Sequence, residues 1–255
     1  MGKVISIANQ KGGVGKTTTA INLCGAFALQ GKKILLIDMD AQANATSGLG
    51  IEVEDLSIYD LIIKDIYDER FLKRAIKKSS IENLFLIPSD VNLAGGAVEI
   101  IGFERREFLL KEKVVDKLRK YYDFIVIDCP PSLGILTLNS FVAADEILIP
   151  LQCEYYAMEG LVKLLNTIES VKRAYNHNLK IMGILLTMYD GRLILSRQIE
   201  KEVRAYFKDK VLNTKIPRSV KLAEAPSFGK TIFQYDIKSK GAETYLSLAM
   251  EIING

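Results

Sequence analysis

The densest run of chemically useful residues is Gln10-Lys11-Gly12-Gly13-Val14-Gly15-Lys16-Thr17-Thr18. It follows a short apolar stretch, Val4-Ile5-Ser6-Ile7-Ala8, and opens a helical pattern. Gly12, Gly13 and Gly15 carry no Cβ, so backbone N–H groups can approach and encircle phosphate oxygens. A helix that begins near Lys16 turns its positive dipole end toward the same point. Lys16 is then placed to reach the β- and γ-phosphates of a nucleotide, and the Thr17 hydroxyl to bind Mg²⁺.

Carboxylates stand where such a site needs them. Asp38-Met39-Asp40 closes the apolar run that starts at Lys33, and Asp128 closes Phe124-Ile125-Val126-Ile127. An aspartate at the end of a strand beside a phosphate loop holds Mg²⁺, directly or through water, which is the role predicted for Asp128. Either Asp38 or Asp40 could position an attacking water. A lone aspartate at a strand end is usually a cap or turn residue. Three of them on strands next to one glycine loop call for another explanation.

Other chemistries are excluded by scarcity. Among 255 residues there is one His, three Cys and no Trp. A single His cannot build a multi-His metal site. His177 lies between Asn176 and Asn178 and reads as an exposed residue near a helix end. Cys24, Cys129 and Cys153 are far apart and form no C-x-x-C, so neither a disulfide framework nor a zinc knuckle is indicated. Met1-Gly2-Lys3 does not begin a secretory signal, and no apolar run approaches the roughly 20 residues of a membrane span. The chain reads as reduced and cytoplasmic.

The elements that must position these residues follow from periodicity. Short apolar runs recur at Val4–Ala8, Lys33–Asp38, Leu84–Pro88, Phe124–Asp128 and Glu146–Pro150, with Ile181–Thr187 and Val211–Ile216 further along. Continuous apolar runs suit strands buried on both faces, as in a parallel sheet. Between them, Ala20, Leu23, Cys24, Phe27 and Ala28 share one helix face and Gly31 supplies a stop. Leu161, Leu164, Leu165, Ile168 and Val171 repeat the pattern. Alternation of strands and helices predicts an α/β fold with a doubly wound, mostly parallel sheet flanked by helices. One domain over 1–255 is expected, with a small helical excursion at 51–80.

The glycine loop departs from the usual G-x-x-x-x-G-K-[ST]. Its first glycine would fall at Gln10, and Lys11 stands beside that position. This resembles the deviant phosphate loop of the ParA/MinD family of ATPases, K-G-G-x-x-K-[ST], on the P-loop NTPase fold. The resemblance implies ATP and Mg²⁺ as ligands. It implies a nucleotide-sandwich homodimer in which Lys11 reaches in trans to the phosphates of the other subunit. It also selects Asp40 to position water, with Asp38 in support, by similarity to the family's D-x-D-x-Q segment. Asp40-Ala41-Gln42-Ala43-Asn44-Ala45-Thr46-Ser47-Gly48 is similar to the Soj-type chromosome-partition subgroup, which usually has Pro and Gly where this chain has Ala41 and Ala43. Asp128 to Gly134, Gln152 to Gly160 and Ile216 to Ser227 resemble the same subgroup. In that subgroup the stretch around Pro217 and Ser219 packs near adenine, with Met188 as a base contact.

Net charge is +3, yet residues 172–240 hold 15 Lys/Arg against 6 Asp/Glu, a balance of +9, and the remainder carries −6. A one-sided basic surface is the footprint of phosphate-backbone binding. Arg192, Arg197, Lys201, Arg204, Arg218 and Lys221 are the candidate contacts to duplex DNA, without sequence specificity. The resemblance places contacts at Arg192 and Lys221, and implies a ParB-like partner that stimulates ATP hydrolysis and release. A membrane-positioning relative would need a basic amphipathic terminal helix, whereas Tyr245 to Ile253 is acidic and reads as core packing. A cluster-carrying relative would need a cysteine pair, and Cys129 has no second cysteine at suitable spacing.

Overall fold

A computed structural model describes residues 2–64, 68–155 and 157–254. Residues 65–67 of the expected excursion, and Tyr156 of the Gln152–Gly160 segment, lie outside the described residues. The apolar runs form strands β1 (Lys3–Ile7), β2 (Ile34–Asp38), β3 (Lys77–Lys78), β4 (Leu84–Ile87), β5 (Phe124–Asp128), β6 (Glu146–Gln152), β7 (Lys180–Tyr189) and β8 (Val211–Pro217). They join one eight-stranded sheet in the order β3-β4-β2-β5-β1-β6-β7-β8. All pairings are parallel except β3 with β4. The two-residue edge strand β3, Lys77-Lys78, has no apolar signal and was not expected.

The helices are α1 (Lys16–Leu29), α2 (Asn44–Gly48), α3 (Ile58–Ile63), α4 (Glu69–Ala75), α5 (Asn92–Glu99), α6 (Asp116–Leu118), α7 (Ile135–Ala143), α8 (Ala157–Ala174), α9 (Ile194–Phe207), α10 (Val220–Glu224), α11 (Ile232–Asp236) and α12 (Lys240–Asn254). Gly31, at φ +75°, ends α1 by letting Gly31 and Lys32 donate back to Ala28 and Phe27. The 51–80 stretch is helical at α3 and α4. Ile58, Leu61, Ile62, Leu72 and Ala75 are buried in the main core.

Strand alternation splits the core into two layers. Ile5, Ile7, Leu36, Val126 and Leu148 face α1 and α12. Val4, Leu35, Ile37, Ile127 and Ile149 face the other side, under α3, α7 and α8. The acidic tail helix α12 buries Tyr245, Leu248, Ala249 and Ile252 in the first layer. Among the described residues no helix is long and apolar enough to cross a membrane.

Pro150 is tolerated in a central strand for a specific reason. Leu148 O accepts from Ala8 N, so Pro150, two residues on, also turns toward β1. By then β1 has ended, and the missing N–H faces no strand partner. The Pro150 carbonyl instead accepts Asn9 Nδ2 at 2.7 Å.

Phe27 of α1 is fully buried and stacks on Phe124 of β5 with ring centroids 4.3 Å apart. Phe27→Ala is expected to lower the unfolding free energy by about 3–5 kcal/mol, measured by urea denaturation.

Candidate nucleotide-binding site

The register of three parallel strands brings the distant carboxylates together. Ile7 pairs with Asp128 and Asp128 with Asp38, so β1, β5 and β2 end in one row. Asp38 and Asp128 lie two residues after Leu36 and Val126, so both face the α1 layer. There the chain leaves β1 and enters the glycine loop. This is the crevice beyond the carboxyl ends of the strands where ligands bind in open α/β sheets.

Gly13 and Gly15 adopt φ of +74° and +85°, a region that a side chain would strain. Gly15 is the N-cap of α1 and offers no side-chain cap, so the first-turn N–H groups remain available to an anion. Two side chains brace the loop, and neither was singled out from sequence. Asn9 Oδ1 accepts from Lys11 N at 3.0 Å, and Thr187 Oγ1 of β7 donates to Val14 O at 2.8 Å.

A cavity of about 510 Å³ opens above the loop. Gly12, Gly13, Gly15, Lys16, Thr17, Thr18, Asp40 and Met188 line it, as do Asn44, Ser47, Gly48, Pro131, Pro226 and Ser227. The second set lies in segments recognised by resemblance but given no role there. Just beyond the lining residues Gly48 and Ser227, Gly50 (φ +66°) meets Gly229 (φ +63°), so closely that a Cβ on Gly229 would sit 2.7 Å from the Gly50 Cα. Lys16 is 7% exposed and donates to Lys11 O at 3.2 Å. Burial lowers its pKa, while Asp128, Cys129 and Asp40 pull the other way.

The three aspartates are in different states. Asp38 is fully buried and does not reach the cavity. Its Oδ2 accepts Thr46 N at 2.9 Å and Thr46 Oγ1 at 2.7 Å, and its Oδ1 accepts Asp40 N at 3.1 Å. Burial still lifts its pKa to about 6 against those bonds. Asp40 lines the cavity and accepts Gln42 N at 3.0 Å. Asp128 is fully buried beneath the loop, and neither carboxylate oxygen has a hydrogen-bond partner of normal geometry. Burial and then the neighbouring Asp38 push its pKa up, while the Thr17 hydroxyl and Lys16 oppose the rise. An orphaned carboxylate next to a threonine hydroxyl is an all-oxygen donor set, and it fits a hard divalent cation.

Not every expected residue gathers at this cavity. Val14 is buried in the loop, with its carbonyl committed to Thr187. Lys11 forms an ion pair with Glu154 and lines a neighbouring cleft with Gln10, Ser132 and Gly160, outside the phosphate cavity of its own chain. Met188, Pro217 and Ser219 do converge, around a second, mostly apolar cavity of about 300 Å³. The two cavities share Gly15, Thr18 and Met188. Ser219 also caps α10. Met188 holds φ +48°, a left-handed conformation that costs a non-glycine residue about 1–2 kcal/mol. Cys129 is buried with its thiol 3.0 Å from the Ser6 hydroxyl, and His177 is exposed in the turn after α8.

The +9 segment does not form one basic face. Lys172, Lys180 and Lys210 lie at the opposite end of the sheet, around a cavity shared with Lys3, Glu146 and Glu251. Lys215 and Arg204 are held by Glu200, and Arg204 also donates to Val211 O and Leu212 O at 3.2 and 3.0 Å. Arg204, expected to contact DNA, is one-third exposed, and its guanidinium is held by Glu200 and the carbonyls of Val211 and Leu212. Arg192, Arg197, Lys201, Arg218 and Lys221 remain exposed. Arg192 pairs with Asp190, whose pKa falls to about 2, and Lys221 pairs with Asp236.

Ala43 stands at φ +52°, so the position favours the glycine that the resembling segment carries there. Relief of that strain exceeds the added entropy of the unfolded chain, and Ala43→Gly is expected to raise stability by about 0.5–1 kcal/mol in denaturant titrations. Because Asp38 is raised to about 6, the folded chain holds a proton that the unfolded chain releases above pH ~4. This contribution favours folding at low pH and is lost as pH rises through about 6. The difference in stability between the native chain and Asp38→Asn, followed from pH 4 to 8, should show that slope.

A family model described as an AAA domain matches residues 2–181. The chain is 51% identical to the sporulation initiation inhibitor protein Soj of Bacillus subtilis over 254 residues, 99% of this chain and 98% of that one. It is 49% identical to the chromosome partitioning protein ParA of Myxococcus xanthus over 255 residues, covering 99% and 88% of the two chains. Among solved structures it matches cobyrinic acid a,c-diamide synthase from Mycobacterium smegmatis with bound ATP analogue and magnesium, at TM-score 0.86 and 34% identity, covering 100% and 95%. With about half of its residues identical to Soj and ParA proteins over nearly its whole length, the chain belongs to the ParA/Soj family of chromosome-partitioning ATPases.

Proposed function

We propose that this chain is a magnesium-dependent ATPase, one domain over 1–255, that hydrolyses ATP slowly to ADP and phosphate while driving DNA partition. ATP joins two copies face to face into a sandwich dimer. The dimer binds duplex DNA without sequence preference, and a ParB-like partner stimulates hydrolysis and release. The protein works in the cytoplasm, associated with the nucleoid. The observation that carries this reading is the stacked arrangement of the site. An uncapped helix N-terminus and Lys16 lie above Thr17 and the orphaned Asp128, and an apolar cavity of base size adjoins them.

Each group then has a task. Backbone N–H groups from Gly12 to Thr18 hold the phosphate oxygens, and Lys16 neutralises charge at the transferring phosphoryl group. Thr17 and Asp128 would hold Mg²⁺, which supplies further charge neutralisation at the β- and γ-phosphates when bound. Asp40 orients water from the cavity wall, and Asp38 holds Asp40 and Thr46 in position. Lys11, outside its own phosphate cavity, is free to serve the partner copy once its pairing with Glu154 is broken. Met188, Pro217 and Ser219 enclose the base. Arg192, Arg197, Lys201, Arg218 and Lys221 meet DNA phosphates. Dimerisation doubles these contacts, and non-specific affinity rises steeply with contact number.

DNA binding measured at fixed salt with ATP, with ADP and without nucleotide should be strong only with ATP. Equal binding in all three states would overturn the switch. Lys16→Ala should abolish nucleotide binding. Asp40→Ala should keep ATP and DNA bound while single-turnover hydrolysis falls by about 10²–10⁴-fold.

A further inference from the structure

Helix α9 carries Arg197 and Lys201, yet only Ser196, Ile199 and Val203 of its 14 residues are buried. Two aliphatic side chains, a serine and the half-buried Phe207 at its end make a shallow apolar contact. Elements with few buried contacts are the ones able to shift without disrupting a core.

The orientation of α9 is set by a polar cluster centred on Glu200. Its carboxylate accepts Lys215 Nζ at 2.9 and 3.0 Å and Arg204 Nε at 3.0 Å. The Tyr189 hydroxyl lies close enough to favour its charged form as well. Lys215 Nζ also lies 4.4 Å from the centroid of the Tyr189 ring. Arg204 continues to the carbonyls of Val211 and Leu212. One carboxylate thus joins α9 to the end of β7 and to β8. Burial opposes its ionisation, but Tyr189, Lys215 and Arg204 hold its pKa down near 2, so it is a carboxylate at neutral pH.

These strand ends also line the base cavity. Met188 precedes Tyr189, and Tyr189 is in register with Pro217. Met188 and Pro217 both line the apolar cavity, and Met188 does so in a strained conformation. Strain of this kind marks positions held by their surroundings and able to relax when those surroundings change.

We propose that Glu200 is a positioning residue that couples occupancy of the base cavity to the orientation of α9, so that bound nucleotide sets how Arg197 and Lys201 meet DNA. This rests on the reading of the chain as a nucleotide-dependent DNA-binding ATPase. A base seated against Met188 and Pro217 moves Tyr189 and the end of β8. The ion pair and the cation–π contact pass that movement to α9, whose shallow packing lets it follow. Both ligands then bias one two-state element, and that shared bias is what coupling between sites requires.

Duplex-DNA affinity measured by fluorescence anisotropy, with and without a non-hydrolysable ATP analogue at fixed salt, gives an enhancement ratio. Nucleotide affinity is measured separately with a fluorescent ATP analogue. Glu200→Gln should keep nucleotide affinity within about twofold, while the enhancement falls by about fivefold or more, within the usual range of allosteric coupling. Lys215→Met removes the bridge from Glu200 to Lys215 and the Tyr189 ring, while Arg204 keeps α9 tied to Val211 and Leu212, and should lose the enhancement in the same way. Arg197→Ala removes one of the contacts that the nucleotide orients, and should weaken DNA binding chiefly with the analogue bound. If Glu200→Gln does not fold, Lys215→Met decides. A native ratio in a folded variant of either residue overturns the coupling role alone. No enhancement in the unmodified chain overturns the switch itself, and the coupling with it.

Discussion

Parallel register forces Asp38 and Asp128 side by side in a layer that water does not reach. An unpaired buried carboxylate is costly, and two adjacent ones more so. The remainder of the site is arranged around that pair. Thr46 supplies two donors to Asp38, and in doing so fixes the chain from Asp40 to α2. Asp128 receives no comparable partner. Its charge is answered by the buried Lys16 and by the Thr17 hydroxyl, both at the start of α1. The same lysine and hydroxyl face the phosphate cavity, so the electrostatics of the row and of the ligand site are one problem.

The cavity walls come from segments far apart in sequence. The glycine loop follows β1, Asp40 and α2 follow β2, Pro131 follows β5, Met188 ends β7, and Pro217 to Ser227 follow β8. Central strands converge at their carboxyl ends, and each loop that leaves them contributes one wall. Precision is maintained by small devices: the Asn9 bridge from Pro150 to Lys11, the Thr187 bond to Val14, and the Gly50–Gly229 backbone contact. Residues at positive φ, Ala43 and Met188, stand at the rim of this cleft, where backbone strain is compatible with a ligand-shaped surface.

Net charge along the sequence was a poor guide to charge in space. Of the basic residues between 172 and 240, some lie at the far end of the sheet, some are tied to Glu200, and some are exposed on α9 and α10. The exposed set is the part that can meet a polyanion. Even there, Arg192 and Lys221 have carboxylate neighbours that a phosphate would have to displace.

The sequence by itself determined the sheet, the glycine loop and the three strand-end aspartates. Their signals are local: apolar runs, glycines at fixed offsets, and carboxylates at the ends of those runs. The seven apolar strands formed within one to two residues of the expected ends, whereas Lys77-Lys78 had no pattern to reveal it. Tertiary structure decided how the aspartates divide their work, because only strand register places Asp38 beside Asp128 and leaves Asp40 at the cavity. It decided that Arg204 is held by carbonyls of β8 and that Lys11 leaves its own phosphate cavity. Apart from the Glu200–Arg204 pair, which is one turn apart on α9, these outcomes depend on partners 7 to 143 residues away. No local spacing encodes such a partner, since its identity is fixed only when the strands pack in order.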